Sequence, residues 1–229
     1  MAELIVALDV SSAAEAEAVV VRLGSSVGFY KIGLELFAAA GPDVVSRVKA
    51  HGKRVFLDLK LHDIPRTVER AVKSCGALGV DLLTIHGSGG RAMIRAAADA
   101  AATCGATPPR IVAVTCLTSL DQNDLSDLGV SRAMAEQVAA LGTLATRSGA
   151  HGIVCSPQEV AAMRQLLGAA ALLVTPGVRP AGAAVGDQKR VATPAQAVRD
   201  GATHLVVGRP ILEAPNPCAA ALAIRAEMV

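Results

Sequence analysis

The chain has 229 residues, 52% hydrophobic but only 2% aromatic, and its 22 basic and 20 acidic side chains leave a formal net charge of +2. That length suits one large α/β domain with an aliphatic core, and the near-neutral balance offers no electrostatic footprint for nucleic acid. The five cysteines (Cys75, Cys104, Cys116, Cys155, Cys218) are scattered without a CxxC pair or a His/Cys cluster at metal spacing, so reduced thiols in a cytoplasmic protein and no bound metal are expected. No apolar run is long enough to cross a bilayer, and the N-terminus enters a strand-like segment directly, so neither a membrane span nor a signal peptide is expected.

In chain order, short runs rich in Val, Ile and Leu each lead into a longer helical pattern. Leu4–Asp9 reads as the first strand, and Ser11 or Ser12 then supplies a helix N-cap, with Glu15 placed to close a capping box on Ser12. The next strands are expected at Gly28–Gly33, Arg54–Lys60, Asp81–His86, Arg110–Cys116, Gly152–Cys155, Ala171–Thr175 and His204–Gly208. Pro65, Pro157 and Pro194 fall where first helical turns would begin, a position that tolerates proline. About eight such units is the number a closed barrel requires, and continuously apolar strands suit a parallel sheet covered on both faces. A doubly wound open sheet would also alternate in this way, but its GxGxxG fingerprint is absent. With no linker or composition shift, residues 1–229 read as a single TIM (β/α)8-barrel domain.

The polar residues follow the strands. Asp9, Lys31, Asp58 with Lys60, His86, Thr118, Thr175 and Arg209 all fall at or just after C-terminal strand ends, the face on which barrel enzymes build their sites. The densest stretch is Asp58-Leu59-Lys60-Leu61-His62-Asp63-Ile64-Pro65-Arg66-Thr67. Alternate strand residues share a face, so Asp58 and Lys60 are expected to point the same way, with Asp63 just beyond, where Pro65 stops strand pairing. Charges at the end of a buried strand cost too much desolvation unless they pair or do chemistry. Such a cluster is either an ion pair closing a barrel layer or a lysine held charged and oriented as a proton donor. Asp9 and Lys31, ending the two preceding strands, would face it.

Two later loops suit a phosphate. Thr175-Pro176-Gly177-Val178-Arg179-Pro180 leads into Gly186-Asp187-Gln188-Lys189-Arg190, and the last strand ends Val206-Val207-Gly208-Arg209-Pro210. Gly208 permits close backbone approach, while Arg179 and Arg209 offer bidentate forks; ordinary turns with solvated arginines are the alternative. The Ala- and Gly-rich loop from Pro180 to Arg190 reads as a lid. His86 either lines the site or is a hydrogen-bonded structural histidine, Thr118 either touches ligand or caps a turn, and Glu35 and Asp43 read as solvated helix residues.

Joined in this order, Val6-Ala7-Leu8-Asp9, Tyr30-Lys31-Ile32-Gly33, the D-x-K-x-x-D run from Asp58 to Asp63 with its Ile-Pro, and the two phosphate loops resemble the bacterial type of the orotidine 5′-phosphate decarboxylase family. The resemblance covers essentially the whole chain; Arg66 departs from it, standing where many bacterial members carry Asn. It implies cofactor-free decarboxylation of orotidine 5′-phosphate to UMP in de novo pyrimidine biosynthesis. Lys60 would protonate C6, Asp58 would lie by the substrate carboxylate, and Lys31 and Asp9 would brace the charges and hold the ribose side. Thr118 would contact base or ribose, and Arg179, Gln188, Gly208 and Arg209 would bind the phosphate. Asp63, Ile64 and Thr67 would reach into the site of a second subunit, implying a homodimer with shared sites. The alternatives are a related sugar-phosphate enzyme that uses Mg2+ to stabilise an enediolate, and a nucleotide sensor without turnover.

Overall fold

The structure, a computed structural model, describes residues 2–180 and 192–229. Among them eight parallel strands close in sequence order into a barrel, β1 pairing with β8. The strands are β1 (Glu3–Ala7), β2 (Phe29–Gly33), β3 (Arg54–Leu61), β4 (Leu82–His86), β5 (Arg110–Val114), β6 (Gly152–Val154), β7 (Leu172–Thr175) and β8 (His204–Val207), with helices between them on the outside. All eight fall within the expected runs, give or take two residues at their ends.

Period-two alternation sorts the strand residues into two cores. Ile5, Ala7, Phe29, Phe56, Leu82, Val112, Val174 and Val206 fill the barrel interior. The intervening residues, among them Leu4, Val6, Tyr30, Ile32, Val55, Leu57, Leu83 and Ile85, pack outward against the helices. Along most of each strand both faces are therefore apolar, which explains the Val/Ile/Leu-rich runs. The interior series also fixes what comes next. Two residues beyond Ala7, Phe29, Phe56 and Leu82 stand Asp9, Lys31, Asp58 and Thr84, so the apolar plug gives way to a polar layer at the C-terminal end.

The expected helix starts hold, with one change of detail. Ser12 caps the helix Ala13–Leu23 by accepting the Glu15 N–H, but the Glu15 carboxylate returns to the amide and hydroxyl of Ser11, not to Ser12. Pro65, Pro157 and Pro194 each open a helical segment. Among the described residues no helix is long and apolar enough to cross a membrane. The five cysteines are free thiols.

Candidate active site

At the C-terminal end of the barrel a cleft of about 540 Å3 opens over the polar layer, and Asp9, Lys31, Asp58, Lys60, Thr118, Arg179, Gly208 and Arg209 all line it. A larger cavity of about 690 Å3 lies at the opposite end, around Glu3, Phe29 and Arg54. There the Arg54 guanidinium pairs with the Glu3 carboxylate and sits 4.3 Å from the centroid of Phe29, so these two charges already satisfy one another. In this fold chemistry belongs to the other face.

The floor of the C-terminal cleft is a row of alternating charge. The Lys31 ammonium lies 2.9 Å from Asp9 Oδ1 and 4.0 Å from Asp58 Oδ2, and the Lys60 ammonium donates to the same Asp58 oxygen at 2.9 Å. Lys31 and Asp58 are largely buried, at 13% side-chain exposure each, which is affordable only because each charge has an opposite neighbour. Glycines make room for the row. A Cβ on Gly33 would stand 3.0 Å from Lys31 Nζ, and one on Gly208 3.2 Å from Asp9 Oδ2.

Strand alternation alone does not bring Asp58 and Lys60 together. Leu57 pairs with Leu83 but Leu61 pairs with Ile85, so β3 carries two residues more than β4 over that interval. The excess is taken up by a bulge, with Lys60 at φ +50°, the one described non-glycine residue in the left-handed region. A lysine held there costs about 1–3 kcal/mol, the kind of strain that persists where the surroundings over-determine it. Here they do. The Lys60 N–H donates to Thr84 Oγ1 at 2.8 Å, and the Thr84 hydroxyl donates to Asp58 Oδ1 at 2.9 Å.

Arg179 and Arg209 both line the cleft. Burial, and then the neighbouring Arg209 charge, lower the pKa of the Arg179 guanidinium. Two guanidinium groups lining one cleft suit a phosphate dianion. Thr118 lines the same cleft, half-buried.

Other expected residues lie elsewhere. Asp63, Ile64 and Thr67 are exposed and take no part in their own cleft. Asp63 Oδ1 accepts the Ile64 N–H at 2.7 Å, so among the described residues of one chain Lys60 is flanked by a single carboxylate and not by the pair that D-x-K-x-x-D suggests. Gln188, and the expected lid beyond Pro180, lie outside the described residues. Thr175 Oγ1 is buried with the same parity as Leu173, on the helix side of β7, and does not reach the cleft. His86 stacks on His62 at 5.2 Å and shares a 2.8 Å hydrogen bond with Ser88, which favours the structural reading; burial, then the charges of His62 and Lys60, lower its pKa. Asp43 is bound to Arg47 on an exposed helix face and Glu35 is an exposed helix residue, both as expected, and Glu35 also lines the cleft. Thr84 and Glu213 went unnoticed in the sequence. Glu213 follows the Arg209 turn, and nothing in its local pattern separates it from a solvated helix end.

Comparison with known proteins agrees with the barrel fold. The chain is 52% identical to the orotidine 5′-phosphate decarboxylase of Moorella thermoacetica over 231 residues, covering 99% of this chain and 92% of that one. It is 54% identical to the protein of the same name from Anaeromyxobacter dehalogenans over 221 residues, covering 96% and 95%. The crystal structure of orotidine 5′-phosphate decarboxylase from Lactobacillus acidophilus superposes with a TM-score of 0.90 at 39% identity, covering 100% of this chain and 99% of that one. Residues 2–224 match the orotidine 5′-phosphate decarboxylase / HUMPS family, and the chain belongs to that family.

Proposed function

We propose that this chain decarboxylates orotidine 5′-phosphate to UMP and CO2, with Lys60 protonating C6 and with no metal or organic cofactor. The observation that carries the reading is the row Asp9–Lys31–Asp58–Lys60 on the floor of a cleft that Arg179 and Arg209 also line. Breaking the C6–carboxylate bond releases CO2 and leaves the electron pair on C6, where the pyrimidine delocalises it poorly. A fixed cation beside C6 stabilises that charge, and one of its N–H protons then completes the product. Lys60 is the residue for both tasks, because its ammonium is tethered by Asp58 on a backbone that is itself pinned.

Asp58 takes the position beside the substrate carboxylate, and Lys31 keeps the two acids of the row from repelling one another. Asp9 and Lys31 hold the ribose side, Thr118 contacts base or ribose, and Arg179, Gly208 and Arg209, with Gln188, bind the phosphate. Opposite unit charges ~4 Å apart at an effective dielectric near 20 interact by ~4 kcal/mol, about three powers of ten in rate. A large acceleration therefore needs more than Lys60. Phosphate binding far from C6 supplies it by holding the base against the charged row. Exposed Asp63, Ile64 and Thr67 suit a second copy of the chain, which would complete each site with the carboxylate that one chain lacks.

The family name also covers enzymes of the HUMPS type, and the Mg2+-dependent alternative predicts acidic ligands gathered at the mouth. Among the described residues no three His, Cys, Asp or Glu side chains gather to hold a metal, and Lys31 stands between Asp9 and Asp58. The test is the ultraviolet loss of orotidine 5′-phosphate on protein pretreated with EDTA. Rapid conversion to UMP is expected. Turnover only with added Mg2+ would overturn the metal-free reading, and UMP binding without turnover would make the protein a sensor.

A further inference from the structure

We infer that Thr84 is a positioning residue for this reaction, setting the place of the Lys60 ammonium without touching substrate. The inference rests on the proposed decarboxylation. Thr84 is fully buried beneath the cleft and is not part of its lining. Its hydroxyl has one proton, which it gives to Asp58 Oδ1 at 2.9 Å, while its oxygen accepts the Lys60 N–H at 2.8 Å. Asp58 Oδ2 is thereby left to accept the Lys60 ammonium at 2.9 Å, closing a ring through both the backbone and the side chain of Lys60.

The ring explains two features together. The bulge between Leu57 and Leu61 turns the Lys60 amide away from ordinary strand pairing, and Thr84 Oγ1 gives that amide a partner. Lys60 is also held in the left-handed region, which a non-glycine residue leaves unless something retains it. Without the hydroxyl the Lys60 backbone could relax toward extended geometry, and Asp58 could turn about its χ2. Either movement shifts Nζ, and a misplacement of ~1 Å at a reacting group costs roughly a hundredfold in rate. The phosphate-binding arginines lie on other elements and are untouched.

The test compares the unaltered protein with Thr84→Val, Thr84→Ser and Thr84→Ala, measuring kcat and KM for orotidine 5′-phosphate, UMP affinity and thermal melting. Thr84→Val is expected to lower kcat roughly 10- to 100-fold, leaving KM and UMP affinity within about threefold, with Thr84→Ser restoring most of kcat. Thr84→Ala, which introduces no bulk, should reproduce the valine result if valine compromises folding. Turnover in the unaltered protein with kcat unchanged in folded Val or Ala variants, even with a lowered melting temperature, would overturn the inference alone. So would a serine variant as slow as valine. Absence of turnover in the unaltered protein would overturn the decarboxylase reading and this inference with it.

Discussion

At the scale of single residues, the site holds charges that are tolerated only because of what surrounds them. Lys31 and Asp58 sit largely buried in a row of alternating sign, and Gly33 and Gly208 leave space for it. Gly33→Ala should therefore move the Lys31 ammonium, lowering kcat about tenfold or more while the melting temperature changes by only a few degrees. A kcat within twofold of the unaltered protein would show that the close approach is incidental. Arg209→Ala should act differently. Losing a charged fork to phosphate is expected to weaken substrate affinity roughly 10- to 100-fold, read as KM and as the Kd for UMP, and unchanged values would remove Arg209 from the site.

At the scale of elements, the inward series of each strand explains both the plug and the site. Leu82, fully buried in the barrel interior two residues before Thr84, belongs to the plug. Leu82→Ala should cost ~3 kcal/mol, lowering the melting temperature by roughly 6–12 °C, and a shift under 2 °C would mean that the interior repacks around the loss. These elements were legible in the sequence because a parallel strand covered on both faces announces itself as a continuous apolar run, and because Asp9, Lys31 and Asp58 interrupt that run at its end. The bulge was not legible. Nothing in Asp58-Leu59-Lys60-Leu61 signals a left-handed lysine, since the bulge exists only relative to the register of β4. Thr84 escaped for the same reason: inside Leu82-Leu83-Thr84-Ile85 it reads as one more β-branched strand residue until the barrel closes beside Asp58. Asp63 is a case where spacing alone misleads and the family resemblance, which sends it toward a second subunit, does not. Sequence proximity placed it in the Lys60 cluster, and the turn before Pro65 carries it outside its own cleft.

At the scale of the whole molecule, the two ends of the barrel carry separate properties. His204, buried at the N-terminal end of β8, is pushed down to about 4 by burial, reinforced by the Arg110 and Arg54 charges. It is therefore neutral at pH 7, and its 3.7 Å approach to Glu3 is not an ion pair there. The unfolded chain, with an ordinary histidine near 6.5, binds the proton more readily. This contribution to stability is thus complete above about pH 6.5 and is lost as pH falls toward 4, by about 3 kcal/mol in all. Urea midpoints from pH 7 to 4 should fall, and His204→Gln should flatten part of that fall. An identical slope in the variant would assign the acid sensitivity elsewhere. At the other end, Asp63, Ile64 and Thr67 are exposed, and the proposed homodimer with shared sites, which the family resemblance implies, would place them in the partner's cleft. Mixing inactive Asp63→Ala and Lys60→Ala proteins should restore activity through hybrid dimers, and no recovery after verified subunit exchange would contradict sharing.

The role of Lys60 is tested by turnover of orotidine 5′-phosphate by Lys60→Ala beside the unaltered protein, with UMP binding followed in the same samples. The account predicts decarboxylation by the unaltered protein, a loss of roughly a thousandfold or more in the variant, and UMP affinity kept within about tenfold. Appreciable turnover by a folded, UMP-binding Lys60→Ala protein would contradict it.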